Sequence, residues 1–145
     1  MMKNVFLALF CLSVQMGFAQ ETEVKQTIVN FFEGFHARDT VKMRSQFVKE
    51  IVMHTISERN QQAILTSEPA ADFLKMIASV PKSEKFEERL LSYKIQIDGA
   101  MAHVWAPYEF YINGKLSHSG VNSFQLFKDK SGWKIAYCID TRRRP

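Results

Sequence analysis

Four side chains with binding or proton-transfer chemistry flank Asn113-Gly114: Trp105 and Glu109 precede it, His118 and Asn122 follow it. Asn-Gly accepts positive φ at both central positions of a two-residue hairpin turn, and such a turn fixes the register of its strands. With Ile112 opposite Lys115, Glu109 faces His118, Trp105 faces Asn122 and His103 faces Phe124. Side chains alternate along a strand, so these six share one face with Pro107, Tyr111, Leu116, Gly120 and Leu126. Directly opposed residues have Cβ atoms roughly 4.5–5.5 Å apart. A carboxylate at that range orients an imidazole and favours its protonated form. The dyad could take or deliver a proton near neutral pH, with the His118 pKa above its reference of about 6.5. It could equally be a polar pair that satisfies itself at a pocket rim. Trp105 beside Asn122 suits a planar ligand with polar edges, whose binding would quench the indole. It also suits a plain core with one tethered amide. The face is mainly apolar with a few polar groups, which is what a small-molecule pocket needs.

A sheet must position these residues. Leu91, Tyr93, Ile95 and Ile97 alternate with Ser92, Lys94 and Gln96, and Asp98-Gly99 turns the chain. Strands over 100–112, 115–128 and 133–141 complete a meander. Two of them exceed ordinary length, so bends or bulges are expected. Across the Asp129 to Gly132 loop, Lys128 opposite Trp133 puts Tyr137 opposite Phe124, which adds Tyr137 to the pocket wall. That longer loop leaves the register open by one residue. The opposite face carries Leu91, Tyr93, Ile95, Ile97, Val104 and Tyr108. This is more apolar area than a monomer usually leaves wet, so a homodimer through that face is expected.

The first half supplies helices. Val24, Ile28, Phe31, Phe32 and Phe35 form one broad apolar stripe, wide enough to cover a sheet, with His36 beside its end. Asp39 or Thr40 can cap a short second helix containing Val41, Met43 and Phe47. Residues 50–56 read as a first strand, rich in β-branched residues. On it His54 is either a core histidine or a further wall residue. Residues 58–62 read as loop. Ser67 can cap a third helix with Pro69 in its first turn, Phe73, Leu74, Ile77 and Val80 buried, and Pro81 as its stop. Residues 82–88 read as a charged connector.

The chain has 145 residues and opens Met1-Met2-Lys3-Asn4, followed by a short apolar run and Gly17-Phe18-Ala19. That is the pattern of a secretory signal peptide, 1–19, cleaved to leave Gln20 first. The run is too short for a stable membrane span. Residues 20–145 then form one domain, periplasmic or secreted. The formal charge of +4 is modest, and its one cluster is Arg142-Arg143-Arg144 at the end. No basic helix or interleaved aromatic platform points to nucleic acid. Cys138 is the only cysteine after residue 19, so no disulfide within the mature chain is possible. The histidines lack paired metal-ligand spacing, and neither metal nor cofactor is expected.

The order of elements is helix, short helix, strand, helix, then a long antiparallel meander. With Val104-Trp105-Ala106-Pro107-Tyr108-Glu109-Phe110-Tyr111, His118-Ser119-Gly120-Val121, Gly132-Trp133-Lys134-Ile135 and Asp140-Thr141-Arg142-Arg143, it resembles the nuclear transport factor 2-like superfamily, also called cystatin-like or SnoaL-like. The likeness is to small exported bacterial members, many labelled "putative lumazine-binding". The resemblance implies an α+β cone-shaped roll: three N-terminal helices against a strongly curved, mainly antiparallel sheet, with a cavity between. It also implies relatives of several kinds, some catalytic through a pocket Asp or Glu and some purely binding. Three functions follow as expectations. One is an exported module for a partly aromatic, polyketide- or pterin-like ligand, with His54, Trp105, Asn122 and Tyr137 on its wall. Another is a cofactor-free proton-transfer enzyme using His118 with Glu109. The last is a homodimeric association domain. An amide at Asn122, where some relatives would carry a carboxylate, cannot act as a base.

Overall fold

The computed structural model describes the backbone over residues 2–59 and 62–145, and side chains over 18–58 and 62–145. The expected signal segment therefore falls mostly outside the described side chains. Three helices and seven strands follow in order: α1 (Met2–Ala37), α2 (Thr40–Ser45), β1 (Phe47–Arg59), β2 (Gln62–Ser67), α3 (Ala70–Ser79), β3 (Phe86–Leu90), β4 (Lys94–Asp98), β5 (Met101–Ile112), β6 (Lys115–Asp129) and β7 (Gly132–Arg142). They build one sheet in the order β2-β1-β7-β6-β5-β3, with β4 pairing β5 farther along the same edge. Every pairing is antiparallel except β1 with β7. Among the described residues no helix is long and apolar enough to cross a membrane.

The core is the interface between α1 and the concave sheet face. Val24, Ile28, Phe31, Phe32 and Phe35 are all buried, as the stripe requires. The Phe31 ring packs against Phe47 and Phe124, and Phe35 against Phe73, Phe86 and Phe110. Each such ring, once fully buried, contributes roughly 1.5–3 kcal/mol of apolar transfer free energy. α1 ends where Arg38 takes a left-handed conformation (φ 58°), and the Asp39 side chain caps α2 by accepting from the Lys42 N–H. For α3 the expected Ser67 cap is not used. Ser67 ends β2, and α3 starts after Pro69 with no side-chain cap.

Two strands differ from the sequence reading. β2 occupies residues that read as loop and helix lead-in, and all its residues are exposed. β3 occupies the supposed charged connector. Its Phe86, Glu88 and Leu90 are partly buried while Glu87 and Arg89 are exposed. That alternation marks a half-buried strand, with a carboxylate at an inward position.

The Asn113-Gly114 turn forms as read, with φ of 51° and 78° and Ile112 opposite Lys115. Tyr111 then pairs with Leu116, but Phe110 pairs with His118, because Ser117 is an extra residue in a β-bulge. From there on the register moves by one, and a one-residue slip exchanges the faces of a strand. Glu109 is therefore opposite Ser119, Trp105 opposite Ser123 and His103 opposite Gln125. A second bulge at Ala136 does the same to the last hairpin. Lys128 pairs with Trp133 as expected, yet Tyr137 faces Gln125, Cys138 faces Phe124 and Asp140 faces Asn122.

The face expected to bind a partner is thus the core face. Val104 and Tyr108 are buried, and Ile95 and Ile97 pack against the core. The outer, convex face carries Val52, Leu65, Met101, Trp105, Leu116 and Phe127, all exposed.

Candidate functional site

A cavity of about 300 Å³ opens between α1, α3 and the concave sheet. Its apolar wall comes from Phe32 and Phe35 of α1, Phe73 and Ile77 of α3, and Phe86, Phe110 and Phe124 of the sheet. Its polar groups come from β1, β3, β5, β6 and β7: Thr55, Glu88, Tyr108, His118, Asn122, Asp140 and Arg142. Glu68 and Glu84 also border it.

Two acids anchor the polar end, Asp140 buried and Glu88 partly buried. Asp140 accepts from the Thr55 hydroxyl (2.6 Å), the Tyr108 hydroxyl (3.0 Å) and the Arg142 Nε (2.9 Å). The Tyr108 hydroxyl also lies 3.0 Å from the Thr141 carbonyl. Burial, then the nearby Asp140, holds this phenol well above its usual range, so it stays a donor. Gly120 lets β7 come this close: a Cβ there would lie 1.7 Å from the Thr141 carbonyl oxygen.

Glu88 is the second acid. Its Oε1 accepts from the Asn122 Nδ2 at 2.7 Å, and its backbone N–H donates to His36 Nε2 at 3.0 Å. Burial pushes this carboxyl up to about 7, against the pull of the Asn122 hydrogen bond. Burial also lowers His36, consistent with the neutral ring that such an acceptor requires. A carboxyl poised near 7 can hold or release a proton under ordinary conditions.

His118 lines the cavity, with its ring stacked on Phe110 at 4.8 Å and edge-on to Tyr108 at 5.8 Å. Burial first, and Arg142 second, lower its pKa, opposite to the direction expected from a neighbouring Glu109. Glu109 is on the outer face, where it accepts from the Tyr111 hydroxyl at 2.7 Å. The sheet separates the two, so the Glu109–His118 dyad does not exist. Trp105 is likewise outside and exposed, near His103. Tyr137 is outside too. His54 borders the cavity between Met53 and Thr55, but its ring Nδ1 lies 3.0 Å from the Tyr137 hydroxyl. Of the six residues singled out from sequence, the structure brings His118 and Asn122 together with the cavity and leaves His54 at its border. It places Glu109, Trp105 and Tyr137 elsewhere.

Glu88, Tyr108, Asp140, Thr55 and Arg142 were not foreseen. Glu88 had a legible signal in the Phe86-Glu88-Leu90 alternation. Asp140 had none without knowledge of the bulge at Ala136. Cys138 also lines the cavity, and burial raises its thiol well above the usual range, which makes it an inert wall atom. Among the described residues no three His, Cys, Asp or Glu side chains are grouped to hold a metal ion.

A curved, mainly antiparallel sheet wrapped on a long helix, with a cavity between them, is the nuclear transport factor 2-like class of α+β fold. Solved structures agree. A nuclear transport factor 2-like protein of unknown function from Shewanella baltica matches with a TM-score of 0.64 at 17% identity, covering 88% of this chain and 97% of its own. A cystatin-like protein from Novosphingobium aromaticivorans matches at 0.72 and 9% identity, covering 91% and 87%. The β subunit of a "putative aromatic-ring-hydroxylating dioxygenase" from the same organism matches at 0.71 and 10%, covering 90% and 92%. At these identities the likeness is one of fold. Within the class, this chain belongs to the family described as "Putative lumazine-binding", whose model matches residues 19–137. No curated protein matches it.

Proposed function

We propose that this protein binds one small, flat, partly aromatic molecule inside the cone. The observation that carries this reading is the cavity itself, walled by aromatic rings and ending in the Glu88–Asn122 pair. Its size is at the lower end for small-molecule sites, which suits a bicyclic ring of lumazine or pterin type, or a small polyketide. The family's description supports the same class of ligand. Export belongs to this reading. The first buried side chain described is Val24, and Phe18 is 66% exposed, so cleavage after Ala19 removes no described core residue.

Lumazine is the first probe. Added to labelled protein, it should shift the NMR signals of Phe110, His118, Asn122 and Cys138 while leaving Trp105 and Tyr137 unmoved. Shifts confined to the outer face, or none at millimolar lumazine and its pterin analogues, would count against the cavity as the site.

A homodimer through the convex face is a second reading, favoured by Val52 at 47%, Trp105 at 45% and Leu65 at 60% exposure on one side of the sheet.

A further inference from the structure

The hydrogen bonds at the polar end specify more than a flat ligand. Donors there are largely directed to protein acceptors. The Thr55 hydroxyl and Arg142 Nε point to Asp140, the Tyr108 hydroxyl to Asp140 and Thr141, and the Asn122 amide to Glu88 Oε1. Among the described residues Glu88 Oε2 makes no such bond, although Glu88 lines the cavity. Beside Asn122 the unanswered group is therefore an acceptor, while the Nη groups of Arg142, a side chain 46% exposed, are donors left without such a bond among the described residues.

Charge points the same way. Four carboxylates border the cavity, those of Glu68, Glu84, Glu88 and Asp140, against one lining guanidinium, Arg142, with a second, Arg38, behind the Phe86 ring at 4.8 Å and bonded to the Glu84 carbonyl. Arg142 is committed to Asp140 at 2.9 Å. Neither nearby histidine supplies the missing positive charge. His36 accepts from the Glu88 N–H through Nε2, and His118 lies against Phe110 and Tyr108 with its Nδ1 3.2 Å from Ser117 Oγ. Glu88 thus has no ion-pair partner of its own and feels only the more distant charge of Arg142, an arrangement that is costly for the charged form. The aromatic walls add a further preference, since ring faces attract cations.

We propose that the cavity is built for an organic cation, an ammonium or amidinium on a flat apolar body, with Glu88 Oε2 as its counter-ion and the Phe32, Phe35, Phe86, Phe110 and Phe124 rings around its body. This rests on the reading of the cavity as a ligand site. The cation would complete the ion pair that the protein leaves open, and its N–H groups would meet the free acceptor. An anion of the same shape would meet an acidic lining and be excluded.

Three probes of one shape test this: 2-naphthylmethylamine, 2-naphthalenemethanol and 2-naphthoate, titrated into the full chain by calorimetry at about pH 8. The amine should bind at least about tenfold more tightly than the alcohol, as a charge-assisted hydrogen bond implies. The naphthoate should not bind. Glu88→Gln, which keeps the shape and an oxygen for Asn122, should abolish the amine's advantage and leave alcohol binding within about twofold. Should that variant fail to fold, the unmodified protein still gives an answer. Its amine affinity should fall by about five- to tenfold between about pH 8 and pH 6, as Glu88 takes up its proton, while the alcohol's changes little. A tighter alcohol or naphthoate, or an amine advantage that survives Glu88→Gln or acidification, would overturn the cation assignment and leave the ligand site standing. Failure of all three probes to bind would overturn the ligand site and the cation assignment together.

Discussion

Glu88 makes the cavity costly to build, and the cost depends on pH. Its folded pKa of about 7 lies above the ordinary 4.5, so the folded state holds this proton more tightly than the unfolded chain does. Stability from Glu88 is complete below about pH 4.5 and is lost as pH rises through 7. The full loss is on the order of 3 kcal/mol at pH 8. His36 and His118 act in the opposite sense, because their folded pKa values are lowered. They favour the folded state at neutral pH and above, and that contribution falls as pH drops below about 6.5. Subtracting the two proteins isolates Glu88. Urea melts should find Glu88→Gln more stable than the unmodified chain at pH 8, by about 2–3 kcal/mol, with the gap closing near pH 5. An equal gap at both pH values would mean that the carboxyl is not held above its ordinary range.

Strand register is where the sequence reading and the molecule part. Both hairpin turns are legible: Asn113-Gly114 pairs Ile112 with Lys115, and the Asp129 to Gly132 loop pairs Lys128 with Trp133. What cannot be read is where a long strand takes an extra residue to curve. Ser117 and Ala136 have no local mark as bulge residues, and bulging them is what bends β6 and β7 around α1. A shift by one at each bulge moved Trp105, Glu109 and Tyr137 to the outside and turned Tyr108 and Asp140 inward. His118 and Asn122 stayed on the site because they lie beyond the Ser117 bulge on its own strand. Deleting Ser117 should therefore be severe. Restoring the unbulged pairing would turn Phe124 and Leu126, now 1% and 2% exposed, out toward water. The expected loss is about 4 kcal/mol, measurable by denaturation, whereas Ser117→Ala should cost under about 1 kcal/mol.

At the scale of the molecule, fold class was readable because it depends on periodicity, which bulges barely disturb. The apolar stripe of α1, the cap at Asp39 and the closing meander all appear as their patterns require. β2 was hidden by its full exposure, since a strand with no buried face leaves no alternation to read. Two expectations concern the chain as a whole. Edman sequencing of protein recovered from its host should begin at Gln20, within a few residues, and a chain starting at Met1 would refute export. Light scattering at micromolar concentration should give about twice the monomer mass, and Trp105→Asp should halve it. A monomer at high concentration would remove the dimer.

The parallel pairing of β1 with β7 has a consequence for the timing of folding. β1 has two partners in the sheet, β2 and the last strand made. Until β7 leaves the ribosome, β1 and β2 have no place in the sheet, and α1 has only the β3 to β6 part of its concave surface to cover. Contacts so distant in sequence form late and slowly. A nascent chain that stays loose until its final residues is one that a translocation channel can still thread.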